Sequence, residues 1–265
     1  YDEMTASLMP FAFTQAELKE VFPSITRAVF HQYQKAFFAG LQFELFLHGP
    51  VSIEDGRNLL TSITNHLPID AYSNTIEITT RPWTQNHSKE YSFPHPDQAA
   101  VVAYVSDDNS PEGRILNQFA GNLLEAPFFN TLRTDKQLGY LTFATAFTLF
   151  NTPILSGVIQ SPVASPDALV EAITQFMSTF PNEVELLTDE KYNITKRMMV
   201  DSLLNPPLTQ NEMSNAIWQA IALRRPFNDR MVQASILNRL SKKDFVKYLR
   251  TRLQNPIIFK AYNNK

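Results

Sequence analysis

The sequence predicts an α+β fold, with helices packed on mainly antiparallel sheets. Three observations predict it. Capping boxes and Ser-Pro starts recur along the chain and announce helices. Between them lie short apolar or alternating runs bounded by Gly, Pro, Asn and Asp, the pattern of strands. Two such runs, 140–147 and 154–161, flank Asn151-Thr152-Pro153 closely enough to pair antiparallel.

Taken in order, residues 1–13 are apolar without a period and read as an irregular lead-in. Thr14-Gln15-Ala16-Glu17 is a capping box. Its helix is interrupted near Pro23 and continues from a Ser24 cap to about residue 38. Residues 41–48 have the length and composition of a strand that stops at Gly49-Pro50. Ser52 and Asp55 start a helix to about residue 67. From 67 to 74 the composition turns to Pro, Asp, Ser and Asn, and a domain boundary is placed there, dividing the chain into 1–72 and 73–265.

Strands are expected at 75–80 and 89–93, and at 99–105, whose near-continuous apolar run suits a strand covered on both faces. Ser110 at N-cap and Pro111 at N1 open a helix carrying Ile115, Phe119, Leu123 and Leu124 at helical spacing. It runs towards Arg133, and Gly139 is where a left-handed cap is expected. After the strand pair, helices follow from Ser165 to about 180, from Thr188 to before Pro206, and from Thr209 to about Arg224. Two shorter ones cover 229–238 and the segment from the Ser241/Asp244 cap to 253, and 257–262 closes the chain as a strand.

Composition narrows the function. The chain has 265 residues, 44% apolar and 18% charged, which describes an ordinary globular protein able to bury a core. A net charge of −3 gives no electrostatic reason to expect nucleic acid. No apolar run approaches the ~20 residues that span a bilayer, and no signal-peptide pattern opens the sequence. With no cysteine, disulfides, thiolate metal sites and thiol proteases are excluded. Seven glycines without a G-x-G supply neither a dinucleotide fingerprint nor a P-loop, and no G-x-S-x-G occurs.

The most informative stretch is Phe128-Phe129-Asn130-Thr131-Leu132-Arg133-Thr134-Asp135-Lys136-Gln137-Leu138-Gly139-Tyr140, which leaves a helix, turns and enters a strand. Arg133 offers five N–H donors in a rigid fork, and the Tyr140 hydroxyl donates or accepts. The pair suits the carbonyls of an extended peptide, or an oxyanion. A surface arginine complementing a helix dipole and a half-buried tyrosine at a strand start satisfy the same pattern. Phe128 and Phe129 are placed to pack beneath the turn.

This stretch resembles the F-N-x-L-R-T-x-x-Q-L-G-Y signature in the C-terminal half of the pitrilysin and insulin-degrading-enzyme family of inverted-motif zinc metallopeptidases. The resemblance extends to Phe13-Thr14-Gln15-Ala16-Glu17-Leu18-Lys19-Glu20, Leu47-His48-Gly49, Ile159-Gln160-Ser161, Arg225-Pro226-Phe227-Asn228 and Leu240-Ser241-Lys242-Lys243-Asp244. It implies that residues 1–72 end one non-catalytic domain and 73–265 form the last one. It also implies that Arg133 and Tyr140 contact substrate and help complete the active site, with Phe129 beside them. The partner implied is the N-terminal half of the same polypeptide, which carries zinc on H-x-x-E-H, closing with this part around peptides.

In this chain itself no cofactor is expected, because none of the five histidines fits that motif. The nearest approach, His87-Ser88-Lys89-Glu90-Tyr91, has tyrosine in the second histidine's place and reads as strand; His95 is the remaining candidate to complete a site. The chain alone is therefore expected to be inactive, without nucleic-acid or membrane partners. The alternative is a non-catalytic subunit or peptide-binding module resembling the inactive partner of a processing peptidase. Location stays unknown; periplasmic follows only from the pitrilysin resemblance.

Three lesser candidates complete the reading. Glu44 and His48 share one face of the expected strand. Asp107-Asp108-Asn109 has oxygen ligands that suit calcium, and equally suits a helix lead-in. Arg224-Arg225 is either a solvated loop pair or an interdomain contact.

Overall fold

The computed structural model of the chain describes residues 2–9, 11–39, 44–67, 80, 83 and 87–263. Its centre is a sheet of β1 (Ser88–Phe93), β2 (Gln98–Val105), β3 (Leu141–Leu149), β4 (Thr152–Ser161) and β5 (Ile257–Asn263), in the order β1-β5-β2-β4-β3. Every neighbouring pair is antiparallel except β1 with β5. The expected β3–β4 pair forms, with Leu141 opposite Gln160 and Leu149 opposite Thr152.

β2 is apolar from Ala99 onwards because both of its faces are covered. Ala100, Val102 and Tyr104 join the helix-side core, while Val101 and Ala103 join a smaller cluster on the other face. The helix side is built from α5 (Pro111–Phe129), α6 (Pro166–Leu186), α7 (Asp189–Leu204), α9 (Asp229–Arg239) and α10 (Lys242–Arg252), while α8 (Gln210–Ala222) adds no residue to that core. α5 starts where the Ser110 hydroxyl accepts from the Gly113 N–H, and Pro111 occupies the first turn, where its missing N–H costs nothing. It buries Ile115, Phe119, Leu124 and Phe128. The Phe119 ring centroid lies 4.8 Å from Phe245 of α10 and 5.5 Å from Tyr192 of α7. Gly157 of β4 lies directly under Phe128: a Cβ there would approach the ring to 2.8 Å, so glycine sets how closely α5 seats on the sheet.

Two buried arginines pin elements together. Arg252 donates from Nη2 to the carbonyls of Tyr104 (2.5 Å) and Pro153 (3.1 Å) and to Asn117 Oδ1 (3.1 Å), joining α10, β2, β4 and α5. Burial pushes its guanidinium pKa down. Arg114 of α5 pairs with Asp229 of α9 at 2.6 Å, and Gln233 Nε2 donates to the other Asp229 oxygen at 2.9 Å. Both guanidinium groups are thus hydrogen-bonded through Nη2, while the buried Nε of each finds no partner among the described residues.

Several expectations need correction. The lead-in is a helix, α1 (Asp2–Leu8), which buries Met4 and Leu8 on the outer face of the sheet beside Val101, Val158 and Phe259. Its apolar spacing is a single i, i+4 pair, too short to reveal a period. The Thr14 capping box opens α2 (Gln15–Val21), and a 3-10 turn at Phe22–Ser24 absorbs Pro23. The next helix, α3 (Arg27–Ala39), is capped by Thr26, whose hydroxyl accepts from Val29 N–H, whereas Ser24 bonds back to Val21 O. Residues 44–48 form no strand; 41–43, and the expected strand at 75–79, lie outside the described residues. α4 (Ile53–His66) has its Ser52/Asp55 box. α6 continues past residue 180 with Pro181 inside it, because the buried side chains Phe180, Pro181 and Val184 hold that turn against the core.

Candidate functional site

The motif leaves α5 through a π-helical segment, Asn130–Asp135. Pro127, inside the helix, has no N–H to offer the carbonyl four residues before it. Wider turns follow: Lys136 N–H donates to Thr131 O and Leu138 N–H to Leu132 O, each at 3.0 Å. Leu132 is fully buried and Leu138 packs on the same core, so apolar anchors hold both sides of the turn. Such π segments often mark functional sites because they re-aim side chains.

The glycine expectation is corrected here. The left-handed residue is Gln137, with φ of 53°, and not Gly139. Gly139 is needed for a different reason: a Cβ on it would lie 2.1 Å from the carbonyl oxygen of Gln160 on β4. Only glycine lets the turn pass this close to the neighbouring strand.

Arg133 projects outward. Its guanidinium carbon sits 4.8 Å from the centroid of the Phe129 ring, a cation–π contact, and it makes no hydrogen bond or ion pair among the described residues. Phe129 is 37% exposed, whereas Phe128 is fully buried beneath the turn. Phe129, Asn130, Asn122, Glu125 and Ala126, with Phe143 of β3, border a groove of about 280 Å³. Among the described residues β3 is an edge strand, so this groove runs beside a sheet edge. Larger cavities, of about 600 and 710 Å³, lie elsewhere: between Phe13 and the outer sheet face, and between α7 and the α8–α9 region.

Tyr140 immediately precedes β3 and is 56% exposed. Its hydroxyl donates to Asp97 Oδ2 at 2.8 Å, and Gln160 Nε2 donates both to that hydroxyl (2.7 Å) and to Asp97 Oδ2 (2.9 Å). The two hydrogen bonds, from Tyr140 first and Gln160 second, hold the Asp97 carboxyl below its usual range. The same bond to Asp97 raises the Tyr140 phenol. Asp97, in the β1–β2 turn, is a site residue that sequence reasoning missed. It is 43 residues from Tyr140, and no spacing rule links a turn to a strand brought alongside by the sheet.

The zinc alternative finds no support in side-chain placement. Glu90 pairs with Lys260 at 3.2 Å, and His95 Nδ1 accepts from Asp97 N–H at 3.1 Å. Among the described residues no three of His, Asp and Glu gather as a metal site, so His87, Glu90 and His95 do not fit zinc. The lesser candidates are engaged structurally. Glu44 pairs with Arg224, and His48 Nδ1 lies 2.7 Å from Ser214 Oγ of α8. Arg225 donates to Asn151 Oδ1 at 2.7 Å. Asp108 accepts from Ser110 N–H, and the Asn109 carbonyl accepts from Arg114, as a helix lead-in requires. No helix among the described residues is long and apolar enough to cross a membrane.

Comparison with known proteins finds the same fold in chains of related sequence. Residues 119–218 match the family described as "PQQ synthase PqqF-like, C-terminal lobe domain 4". Over 254 residues the chain is 21% identical to the insulin-degrading enzyme of Bos taurus, covering 91% of this chain and 25% of that protein. The crystal structure of pitrilysin superposes with a TM-score of 0.83 at 18% identity, over 98% of this chain and 28% of pitrilysin. A peptidase M16 inactive domain from Pseudomonas fluorescens gives 0.65 at 14% identity, over 100% of this chain and 64% of that one. The chain is homologous to the C-terminal part of pitrilysin and insulin-degrading-enzyme-type peptidases. It spans about a quarter of the length of the curated relatives it matches across most of its own.

Proposed function

We propose that this chain is the C-terminal, non-zinc-binding part of a zinc metalloendopeptidase, and that it supplies chamber walls and substrate contacts. Residues 1–72 are the end of a preceding domain and 73–265 the last domain. The zinc and its H-x-x-E-H motif belong to an N-terminal half of the same polypeptide, where the metal supplies an activated water. The observation that carries the reading is the motif at 128–140, whose Arg133 guanidinium is exposed, held over Phe129 and bonded to no acceptor among the described residues.

Arg133 is a donor-only group. Held by a ring contact, it reaches a peptide carbonyl or a developing oxyanion without first breaking an ion pair. Phe129 and the neighbouring groove take an apolar side chain of the same peptide. Tyr140 contacts the peptide from the strand end of the motif. α2, α3 and α4 bury no side chain in this chain, which supports assigning them to a domain that continues upstream.

The test is hydrolysis of a quenched fluorescent peptide by the intact polypeptide. Arg133→Ala lowers kcat by about a hundredfold, the scale for losing one donor to a transition-state oxyanion, and leaves the melting temperature near that of the wild type. A sharp fall in melting temperature with unchanged turnover sinks the reading. An intact polypeptide that hydrolyses no peptide but binds one, with binding weakened by Arg133→Ala, would point instead to a non-catalytic peptide-binding module.

A further inference from the structure

We propose that Asp97 is a positioning residue that fixes the Tyr140 hydroxyl as a hydrogen-bond acceptor facing the backbone N–H of a bound peptide. The inference rests on the substrate-contact reading of the motif and assigns Tyr140 a polarity that the reading leaves open.

The argument is a count of protons and lone pairs. A tyrosine hydroxyl has one proton and two acceptor positions, and an ionised carboxylate only accepts. Asp97 Oδ2, 2.8 Å away, therefore takes the Tyr140 proton. Gln160 Nε2, at 2.7 Å, occupies one acceptor position, and its second contact, to Asp97 at 2.9 Å, fixes which end of the amide faces the pair. One acceptor position remains on a side chain that is 56% exposed. A hydrogen bond to a charged acceptor is about twice as strong as a neutral one, so a substrate carbonyl does not readily win the proton from Asp97. A substrate N–H meets a lone pair already in place.

The polarity makes chemical sense beside Arg133. An extended peptide presents both C=O and N–H groups, and recognition of its main chain requires both complements. Arg133 only donates. Tyr140, locked by Asp97, supplies the acceptor. Three separate segments build this lock: the β1–β2 turn, the start of β3, and Gln160 of β4 opposite Leu141. Among the described residues the other titratable group facing Asp97 is His95, in the same turn, whose Nδ1 accepts from the Asp97 N–H.

Two measurements test it. In this chain labelled with [13Cζ]tyrosine, Tyr140→Phe identifies the resonance. The Tyr140 phenol titrates above its ordinary value in the wild type and returns towards it in Asp97→Ala; identical titrations in the two overturn the proposal. In the intact polypeptide, Asp97→Ala raises KM for a peptide about fivefold, the loss of one ordinary hydrogen bond, with kcat nearly unchanged because a ground-state contact is removed. Asp97→Asn, which keeps an acceptor oxygen at the same place, recovers most of that loss. A fall in kcat at constant KM would make the hydroxyl a transition-state donor and overturn the acceptor role. An unaffected Asp97→Ala beside an impaired Tyr140→Phe overturns this inference alone. A silent Tyr140→Phe removes the substrate-contact role of Tyr140 and the inference with it.

Discussion

Residues 14–67 and residues 88–263 use the same local grammar with opposite outcomes. Both contain capped, amphipathic helices: Thr14/Glu17 and Ser52/Asp55 boxes in the first, a Thr209/Glu212 box and Ser110, Ser165 and Thr188 caps in the second. Yet α2, α3 and α4 bury nothing, leaving Phe22, Phe30, Tyr33 and Phe37 exposed, while α5 buries ten residues against the sheet. Capping is satisfied within four residues of sequence, whereas burial needs an opposing surface. The comparison teaches that an amphipathic helix announces a partner without containing it, and that 14–67 present a face whose cover is not among the described residues.

The contrast can be broken most directly at two phenylalanines. Phe119→Ala, in the ring cluster with Tyr192 and Phe245, costs about 3–5 kcal/mol of stability. Phe30→Ala, at 54% exposure, stays within about 0.5 kcal/mol. Denaturant unfolding of this chain measures both. If Phe30→Ala costs as much as Phe119→Ala, the two regions are equally packed and the comparison fails. In the intact polypeptide the Phe30→Ala cost rises if an upstream domain covers α3.

Ion pairs sharpen it next. Asp229→Asn strands the Arg114 charge in a pair whose side chains are 7% and 9% exposed, and costs about 3 kcal/mol. Glu44→Gln breaks the pair linking the N-terminal segment to Arg224, both half-exposed, and costs less than about 1 kcal/mol. A large effect at Glu44 in the same unfolding assay would show that the N-terminal segment is clamped to α8 rather than lightly tethered.

The smallest effect concerns acid. Asp167, at the start of α6, is held below its ordinary 3.8 by Lys260 and then by Tyr262, both on β5. A carboxyl depressed in the folded state contributes stability above the unfolded value, and that contribution disappears as pH falls through the folded value. Wild type and Asp167→Asn should therefore differ in unfolding midpoint at neutral pH and converge as pH falls below the ordinary carboxylate value. Curves that stay parallel over this range would remove Asp167 from the β5–α6 junction.

Much of the candidate site was legible. Arg133, Tyr140 and Phe129 stand on one run of sequence, and the structure places them on a π turn and a strand entrance as a helix-to-strand transition requires. What was not legible is why the run works. The π widening depends on Leu132 and Leu138 finding one core, and Gly139 serves a close approach to β4 that its own neighbours do not foretell. α1 escaped notice because seven residues with two core contacts carry no measurable period.

By itself the sequence determined the local elements: helix starts at Ser110, Ser165, Thr188, Thr209 and Ser241, the apolar strand β2, and the β3–β4 hairpin. Each is decided by groups a few residues apart, through caps, proline geometry and alternation. Only the tertiary structure decided that β5, last in the chain, inserts between β1 and β2. Only it brought Asp97 and Gln160 to the Tyr140 hydroxyl. Those are contacts between distant segments, set by which surfaces meet when the sheet closes, and no local period records them.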